Sequence, residues 1–187
     1  MIQEEFLQRK KDILLKEDKS SKGDWDKRII ELCDKINSSE KYYTTSSCSG
    51  RVIVMLDQEE KGPGLFEFIS HDLIDLKTLQ ENLSLIKSDD LIKFKQEQCI
   101  LHVACQTLED ATDLVVKAQL TGWKRSGMIA IGKRFMVELN TTERLEFPIM
   151  INNKCLVNEK FLSLVVEKAN KNFIKMWEKI ENLKKLI

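Results

Sequence analysis

The segment Ser46–Arg51 has the composition of a ligand-binding turn, with three serines, one cysteine and one glycine before an arginine. Small side chains let backbone amides and hydroxyl groups approach a ligand closely. An arginine can hold a phosphate or a carboxylate with two parallel hydrogen bonds. A polar β-turn with a surface arginine has the same composition, so this segment alone leaves both interpretations open. Cys48 would act as a nucleophile only if a base or a positive charge stabilised its thiolate, and a spectator cysteine is the simpler interpretation.

The chain has two histidines, and histidine is the side chain best suited to carry a proton near neutral pH. His71 follows a predicted strand, which places it on a loop. His102 lies in an apolar run, where strand alternation directs its side chain away from Leu101 and Val103. A hydrogen-bonded histidine in or beside the core is the simpler interpretation of His102, so His71 is the stronger candidate for a proton acceptor.

Four basic residues lie within eleven positions and adjoin Trp123: Lys124, Arg125, Lys133 and Arg134. Basic side chains beside an aromatic ring suit an RNA backbone with a stacked base, although two ordinary solvated turns would look the same. The 30 basic and 30 acidic side chains of the chain cancel. Any attraction to nucleic acid must therefore come from a local patch.

The order of the elements predicts an α+β fold with a mixed or antiparallel sheet, packed helices and a long C-terminal helix. We expect one domain over 1–187, with N-terminal helices in 1–37, an α/β core in 40–151 and the last helix in 158–187. Strands are predicted at 42–45, 52–56, 66–70, 91–95, 99–104, 128–131, 135–139 and 145–151, where 91–104 can also be one bent strand.

Local signals mark where several elements begin and end. Asp24 is expected to cap the second helix, Thr107 the helix 108–120, and Asn158 the last helix. Gly122 occupies the position where a left-handed residue stops a helix, and Lys61–Gly64 is a predicted turn. Pro148 indicates an edge position or an interruption in its strand. The apolar stripe predicted for the last helix consists of Phe161, Leu164, Val165, Ala169, Phe173, Met176, Trp177, Ile180 and Leu183.

Several classes of protein are disfavoured by what the sequence lacks. No glycine-rich Gly-x-Gly-x-x-Gly loop follows a strand, so a Rossmann methyltransferase fold is not indicated. No run approaches the roughly 18 to 20 apolar residues of a membrane span, and the first 15 residues lack the apolar centre of a secretory signal. The five cysteines are widely spaced, without a Cys-x-x-Cys pair. We therefore expect no metal site and a reducing, cytoplasmic location.

The segment Tyr43–Arg51, which reads Tyr-Thr-Thr-Ser-Ser-Cys-Ser-Gly-Arg, resembles the signature of the wybutosine-synthesising tRNA methyltransferase family, the third enzyme of that pathway. The similarity continues in order through His71, Ile100–Val103, Leu108–Ala111, Gly122–Met128, Pro148 and Asn170. The family often has Glu-Pro where this chain has Glu97-Gln98, and glutamine does not fix φ as proline does.

The resemblance implies a methyltransferase that uses S-adenosylmethionine to methylate N-4 of a demethylated wyosine-type base beside the anticodon of tRNA-Phe, without a metal. It assigns proton transfer to His71, with His102 in reserve, and tRNA backbone contacts to Lys124, Arg125, Lys133 and Arg134. Residues expected to bind the cofactor or the base are Ser46, Ser47, Cys48, Ser49, Gly50, Arg51, Ser126 and Gly127. The last helix also suits self-association into a homo-oligomer.

Two other functions remain open at this point. A noncatalytic tRNA-binding module would explain the basic turns and Trp123, and saturable binding of S-adenosylmethionine in calorimetry would separate it from the enzyme. A thiol hydrolase would use Cys48 and His71. Rapid and selective labelling of Cys48 by iodoacetamide at neutral pH would indicate the activated thiolate that such a hydrolase needs.

Overall fold

A computed structural model of the chain describes residues 2–15, 26–58 and 64–187. These residues form helices α1 Ile2–Leu14, α2 Ile30–Ser38, α3 Leu76–Leu85, α4 Leu108–Leu120 and α5 Glu159–Leu186. The strands are β1 Tyr42–Cys48, β2 Arg51–Leu56, β3 Phe66–Ser70, β4 Ile92–Glu97, β5 Ile100–Cys105, β6 Gly127–Ala130, β7 Phe135–Asn140, β8 Leu145–Ile151 and β9 Lys154–Cys155. The predicted cap Asp24 and the first three residues of the predicted turn Lys61–Gly64 lie outside the described residues.

The chain divides into two compact units. The first unit comprises Met1–Ser49, Cys99–Thr142 and Met176–Ile187, and the second comprises Gly50–Gln98 and Glu143–Lys175. Helix α5 begins in the second unit and ends in the first. The single domain expected over 1–187 stays a prediction.

The first unit contains a four-stranded antiparallel sheet in the order β1-β5-β7-β6. Alternate residues of its strands, such as Leu101, Val103 and Leu139, are fully buried. The unit's helices include α2 and α4, which contact β1 and β7 respectively. Trp123 anchors the end of α5, because its ring Nε1 donates a hydrogen bond of 3.1 Å to the backbone oxygen of Lys179.

Helix α4 begins and ends where its sequence predicts. The Thr107 hydroxyl accepts a hydrogen bond of 3.0 Å from the backbone N–H of Asp110, which satisfies an amide that the helix leaves unpaired. Gly122 follows the last turn with a φ of 96°, in the left-handed region that a glycine adopts without strain. The helix buries Ala111 and Leu114 in the first unit.

The second unit contains a five-stranded antiparallel sheet in the order β3-β2-β4-β8-β9. The first part of α5 is tied to this sheet by Gln96, which is 1% exposed. Its Nε2 donates to the backbone oxygen of Ala169 at 2.9 Å, and its Oε1 accepts from Asn172 Nδ2 at 2.8 Å. Asn158 caps α5 as predicted, since its Oδ1 accepts from the backbone N–H of Phe161 at 3.0 Å.

The predicted α+β class with antiparallel sheet strands and a long C-terminal helix is confirmed, with two sheets. The alternative of one bent strand over 91–104 is wrong, because β4 and β5 belong to different sheets. The predicted irregularity at Pro148 is confirmed by a register shift between β8 and β4 at that position. On α5, Phe161 and Leu164 are 40% and 60% exposed, contrary to the predicted stripe. The run Phe161–Val166 is apolar nearly all round the helix, so the spacing of its apolar residues does not indicate which face is buried.

Candidate active site on the four-stranded sheet

A row of four residues crosses the sheet of the first unit. The strand register pairs Ser46 with His102, His102 with Glu138, and Glu138 with Gly127. Directly opposed residues of neighbouring antiparallel strands present their side chains on the same face. These four residues, which we call the polar row, therefore lie side by side on one face of the sheet.

Two short hydrogen bonds link the side chains of the polar row. Ser46 Oγ lies 2.6 Å from His102 Nδ1, and His102 Nε2 lies 2.7 Å from Glu138 Oε2. An ionised carboxylate accepts hydrogen bonds and cannot donate them, so His102 Nε2 carries the proton of that contact. In the neutral imidazole Nδ1 is then unprotonated and accepts a hydrogen bond from the Ser46 hydroxyl. The arrangement gives a proton a continuous path from Ser46 to His102, with the imidazole oriented by a carboxylate.

The polar row is partly accessible rather than sealed in the core. The side chains of His102 and Glu138 are 28% and 32% exposed. Leu101 and Val103 are fully buried on the opposite face, as strand alternation predicted. A ligand can therefore reach the imidazole, while the backbone that carries it is held on a packed strand.

Asn140 extends the polar row along β7. Its Nδ2 donates a hydrogen bond of 2.6 Å to Glu138 Oε1, which fixes the orientation of both side chains. Asn140 is 7% exposed. Its Oδ1 is buried and, within the described part of the chain, has no hydrogen-bond partner. Buried acceptors without partners are uncommon in folded proteins, so this oxygen is suited to receive a donor from a ligand.

The serine-rich segment is mostly strand rather than turn. Ser46 to Cys48 belong to β1, and only Ser49 and Gly50 connect β1 to β2. The expected turn is therefore wrong for the first three residues. Serine has little preference for strands, and here pairing with β5 decides the conformation. Gly50 has a φ of 95°, so the turn is confined to the position where glycine is needed.

Strand alternation separates the side chains of this segment. Cys48 pairs with Ile100, two positions from His102, so it lies on the same face as Ser46. Ser47 lies on the opposite face, where its hydroxyl hydrogen-bonds with the thiol of Cys33, whose pKa burial raises to about 12. The roles of Ser47 and Cys48 in cofactor binding stay predictions.

Ser49 is fully buried and has a clear structural role. Its backbone N–H and its hydroxyl both donate to Asp26 Oδ2, at 2.9 and 3.3 Å. This carboxylate therefore holds the end of β1 in the first unit. A role of Ser49 toward a cofactor stays a prediction.

Arg51 opens β2 in the second unit and pairs with Glu97 of β4. Its Nε donates a hydrogen bond of 2.7 Å to Glu97 Oε2, and its guanidinium carbon lies 5.5 Å from the centroid of the Phe66 ring. Lys95 Nζ lies 3.1 Å from Glu97 Oε1. Burial alone would raise the pKa of Glu97, but hydrogen bonds and positive charge from Arg51 and Lys95 outweigh it and lower that pKa. Arg51 is therefore oriented by a carboxylate that stays ionised.

His71 is half-buried and follows β3 directly in the second unit. The loop beyond it is fastened to α5 by Asn170. The Asn170 Oδ1 accepts from the backbone N–H of Ile74 at 3.0 Å, and its Nδ2 donates to the backbone oxygen of Ile74 at 2.8 Å. This pair of bonds fixes the loop that carries His71.

Two further residues expected at the site lie where β6 begins: Ser126 directly precedes the strand, and Gly127 is its first residue. Ser126 is 8% exposed, and its hydroxyl donates to the backbone oxygen of Trp123 at 2.7 Å and accepts from the backbone N–H of Asn140 at 3.2 Å. Its hydroxyl thus supports the end of β7. Gly127 belongs to the polar row, and a Cβ added there would meet no atom within 4 Å.

The four basic residues of this region are all exposed, on the first unit: Lys124, Arg125, Lys133 and Arg134. The adjoining Trp123 is fully buried, and its Nε1 donates a hydrogen bond to the backbone oxygen of Lys179. The suggestion that Trp123 stacks on a base is therefore wrong. Its indole ring is part of the packing that holds α5.

Glu138 and Asn140 are the two site residues that sequence reasoning missed. Their signal was the alternation of polar Glu138 and Asn140 with the buried Val137 and Leu139 along β7. That pattern places both polar side chains on the face opposite Val137 and Leu139. It does not indicate which residues lie opposite, because the register of β7 against β5 depends on residues far apart in sequence.

Comparison with known proteins identifies the family. The family described as Methyltransferase TYW3 matches residues 5–187. The chain belongs to this family. The predicted membership of a tRNA-modifying methyltransferase family is therefore confirmed, and so is the prediction that the chain is an enzyme.

Named relatives within the TYW3 family cover most of the chain. A tRNA wybutosine-synthesizing protein 3 homolog of Xenopus laevis is 38% identical over 176 residues, which is 90% of this chain and 69% of that protein. The tRNA(Phe) 7-((3-amino-3-carboxypropyl)-4-demethylwyosine(37)-N(4))-methyltransferase of Thermococcus sibiricus is 35% identical over 182 residues, which is 95% of this chain and 91% of that protein.

A solved structure supports the fold of this TYW3 family member. The PH1069 protein from Pyrococcus horikoshii superposes with a TM-score of 0.87 at 34% sequence identity, and the match covers 98% of this chain and 94% of that one. The prediction that the fold is not of the Rossmann type is confirmed. Among the described residues, no helix is long and apolar enough to cross a membrane.

Proposed function

We propose that this chain transfers the methyl group of S-adenosylmethionine to N-4 of a demethylated wyosine-type base beside the anticodon of tRNA-Phe, in wyosine or wybutosine biosynthesis. The names of its relatives support the substrate. The observation that carries the proposal is the polar row, in which Ser46, His102 and Glu138 form a proton path on an accessible face. A noncatalytic tRNA-binding module would not need such a path.

The reaction defines what the protein has to supply. S-adenosylmethionine, when bound, offers an electrophilic methyl group on a positively charged sulfur. The chain must hold the target nitrogen in line with that methyl group and accept the proton that leaves N-4 as the new carbon–nitrogen bond forms. It must also keep competing water away from the reacting atoms.

For the proton acceptor, the geometry favours His102. The bond from Nε2 to Glu138 leaves Nδ1 to accept a proton, either directly or through the Ser46 hydroxyl. The carboxylate then stabilises the imidazolium ion that forms. His71, which the resemblance implies for this role, stays a prediction and is compared with His102 below.

The residues of the first unit also offer partners for bound groups. Asn140 Oδ1, a buried acceptor without a partner among the described residues, fits an N–H donor such as the ammonium or amino group of S-adenosylmethionine. Arg51 belongs to the second unit, and its expected role toward a carboxylate or a phosphate stays a prediction. The wider cofactor-binding set also stays a prediction: Ser46, Ser47, Cys48, Ser49, Gly50, Ser126 and Gly127.

Binding of tRNA is assigned to the exposed basic residues of the first unit: Lys124, Arg125, Lys133 and Arg134. Their side chains suit phosphate oxygens of the anticodon arm. The tRNA substrate proposed here supports a cytoplasmic location. A homo-oligomer through α5 stays a prediction, to be checked by light scattering.

The direct test supplies the pure protein with isotopically labelled S-adenosylmethionine and tRNA from a strain that lacks this gene. Mass spectrometry of the digested tRNA should show one label on the N-4 methyl group of the wyosine-type nucleoside. The His102→Ala and His71→Ala variants are run in parallel, with Lys168→Ala, a change on the exposed face of α5, as the control. Label on another nucleoside, or no label with an intact and correctly folded protein, would refute the proposed reaction.

A further inference from the structure

The segment Leu114–Val137 is strongly basic within a chain that has no net charge. Its 24 residues include five basic and no acidic side chains, whereas the whole chain has 30 of each kind. Lys117 is neutralised by Asp113, whose Oδ2 lies 2.7 Å from its Nζ. The other four basic side chains are exposed, namely Lys124, Arg125, Lys133 and Arg134. Positive charge therefore concentrates on the part of the first unit that contains β6 and its flanking loops.

Two large apolar side chains are exposed within this basic segment. Ile129 and Ile131 are 56% and 69% exposed. Ile129 lies at a β-bulge, because the register of β6 against β7 shifts between Met128 and Ala130. A bulge redirects a side chain and is common beside active sites. Strand β6 is at the edge of its sheet, so this apolar pair stands beside positive charge on an accessible edge.

The apolar pair also lies close to the polar row. Gly127 is the β6 member of that row, and Ile129 follows two positions later on the same strand. At about 3.3 Å per residue, Ile129 stands about 7 Å along the strand from Gly127, and Ile131 follows Ala130, the last residue of β6. The distance from Gly127 to the apolar pair is comparable to the height of a few stacked bases. A nucleic-acid loop that presents one base to the polar row would therefore bring neighbouring bases to the apolar pair.

We propose that Ile129 and Ile131 form a wedge that contacts the base faces exposed when the target nucleotide leaves the stack of the anticodon loop. The four basic side chains hold the adjoining phosphates. This inference rests on the proposed function, because it names the contact by which that reaction reaches its base. A base within a stacked loop must be extruded before an enzyme can act on it, and apolar side chains are suited to cover the neighbours it leaves unstacked.

The charge and the apolar surface of this segment together indicate what binds to it. Phosphates require positive charge, and unstacked bases offer flat apolar faces, so a single-stranded RNA loop matches both features. A second copy of this chain would bring the same positive charge to the surface, which disfavours it as a partner. A surface that bound phosphates by charge alone would not require exposed isoleucine side chains, whose contact with water is unfavourable.

The test compares how salt affects tRNA binding by three variants. The double variant Ile129→Ala/Ile131→Ala should bind the unmodified tRNA about tenfold more weakly, with the slope of log K against log salt unchanged, because apolar contacts release no counterions. Lys133→Ala should reduce that slope by about 0.7 to 0.9. Leu164→Ala is the matched control, since Leu164 is 60% exposed on α5 in the second unit. It should bind like the wild-type chain.

The readouts separate this inference from the proposed function. The proposed wedge would be overturned if the double variant bound tRNA with wild-type affinity. It would also be overturned if weaker binding came with a changed oligomeric mass in light scattering. If the wild-type chain binds tRNA but does not methylate it, the proposed reaction is wrong. The comparison of binding by the variants still tests whether Ile129 and Ile131 contact the RNA. Thermal unfolding of the double variant should match that of the wild-type chain, because both side chains are exposed in the folded protein.

Discussion

The substitution Glu138→Gln replaces one oxygen of the polar row with an NH2 group and leaves the shape of the side chain unchanged. Asn140 Nδ2 donates to Oε1 at 2.6 Å, so the amide oxygen of the glutamine is held at that position. The new NH2 group then faces His102 Nε2, where the carboxylate stood at 2.7 Å. Because an NH2 group donates, the imidazole must move its proton to Nδ1. The Ser46 hydroxyl then faces a donor, and Nδ1 can accept its proton only after the imidazole returns to the tautomer that is now less favourable.

The size of the effect follows from the lost contact. A hydrogen bond to a charged partner contributes about 1.5 to 3 kcal/mol. The side chains of His102 and Glu138 are 28% and 32% exposed, so solvent weakens their interaction and the lower end applies, about 1.5 kcal/mol. Since about 1.4 kcal/mol corresponds to a factor of ten in rate, we expect methyl transfer to be about tenfold slower.

The assay is single-turnover methylation at saturating S-adenosylmethionine and tRNA, so that binding and product release do not mask the chemical step. Glu146→Gln is a matched control, because Glu146 is also a strand glutamate, with 32% side-chain exposure, and lies in the second unit. In the double variant His102→Ala/Glu138→Gln, the rate should equal that of His102→Ala, since the carboxylate acts through the imidazole. A wild-type rate in Glu138→Gln, or losses that multiply in the double variant, would refute this reasoning.

Three further predictions concern the supporting structure. Asn170→Ala removes both hydrogen bonds to the Ile74 backbone and should lower the free energy of unfolding in urea by about 2 kcal/mol, at about 1 kcal/mol per bond; an unchanged midpoint would contradict it. Gly122→Ala puts a Cβ on a residue with a φ of 96°, 2.9 Å from Lys179 Cε. It should lower the free energy of unfolding, measured by thermal unfolding, by about 1 to 3 kcal/mol. Adding Lys179→Ala should restore only part of this loss, because the backbone strain remains. Glu97 has a lowered pKa in the folded state. Its contribution to stability is therefore present above its ordinary pKa and is lost as the pH falls through the folded value, so Glu97→Gln should flatten the acid limb of the stability curve.

Features set by local chemistry could be predicted from the sequence. Thr107 and Asn158 cap α4 and α5 because a side-chain oxygen beside unpaired helix amides is a signal contained in a few residues. Gly122 stops α4 for a similarly local reason. The strands β3 and β8 match their predicted ranges, since each is a short run of strand-forming residues between turn signals.

The polar row could not be predicted, because it depends on contacts between distant parts of the chain. Ser46, His102 and Glu138 meet through the registers of β1 with β5 and of β5 with β7. Nothing near Ser46 in sequence indicates that it pairs with His102. For the same reason the simpler interpretation of His102, a histidine beside the core, did not include its two polar partners. The burial of Trp123 could not be predicted either, because it depends on the end of α5, 56 residues away.

In the proposed mechanism, the imidazole of His102 accepts the proton released during methyl transfer. The most direct measurement is the single-turnover rate of His102→Ala on unmodified tRNA-Phe, with the affinities for S-adenosylmethionine and tRNA measured on the same preparation. General-base catalysis contributes about 100-fold or more, so the account predicts a rate lower by about that factor with both affinities preserved. A His102→Ala variant that methylates N-4 at the wild-type rate would contradict it.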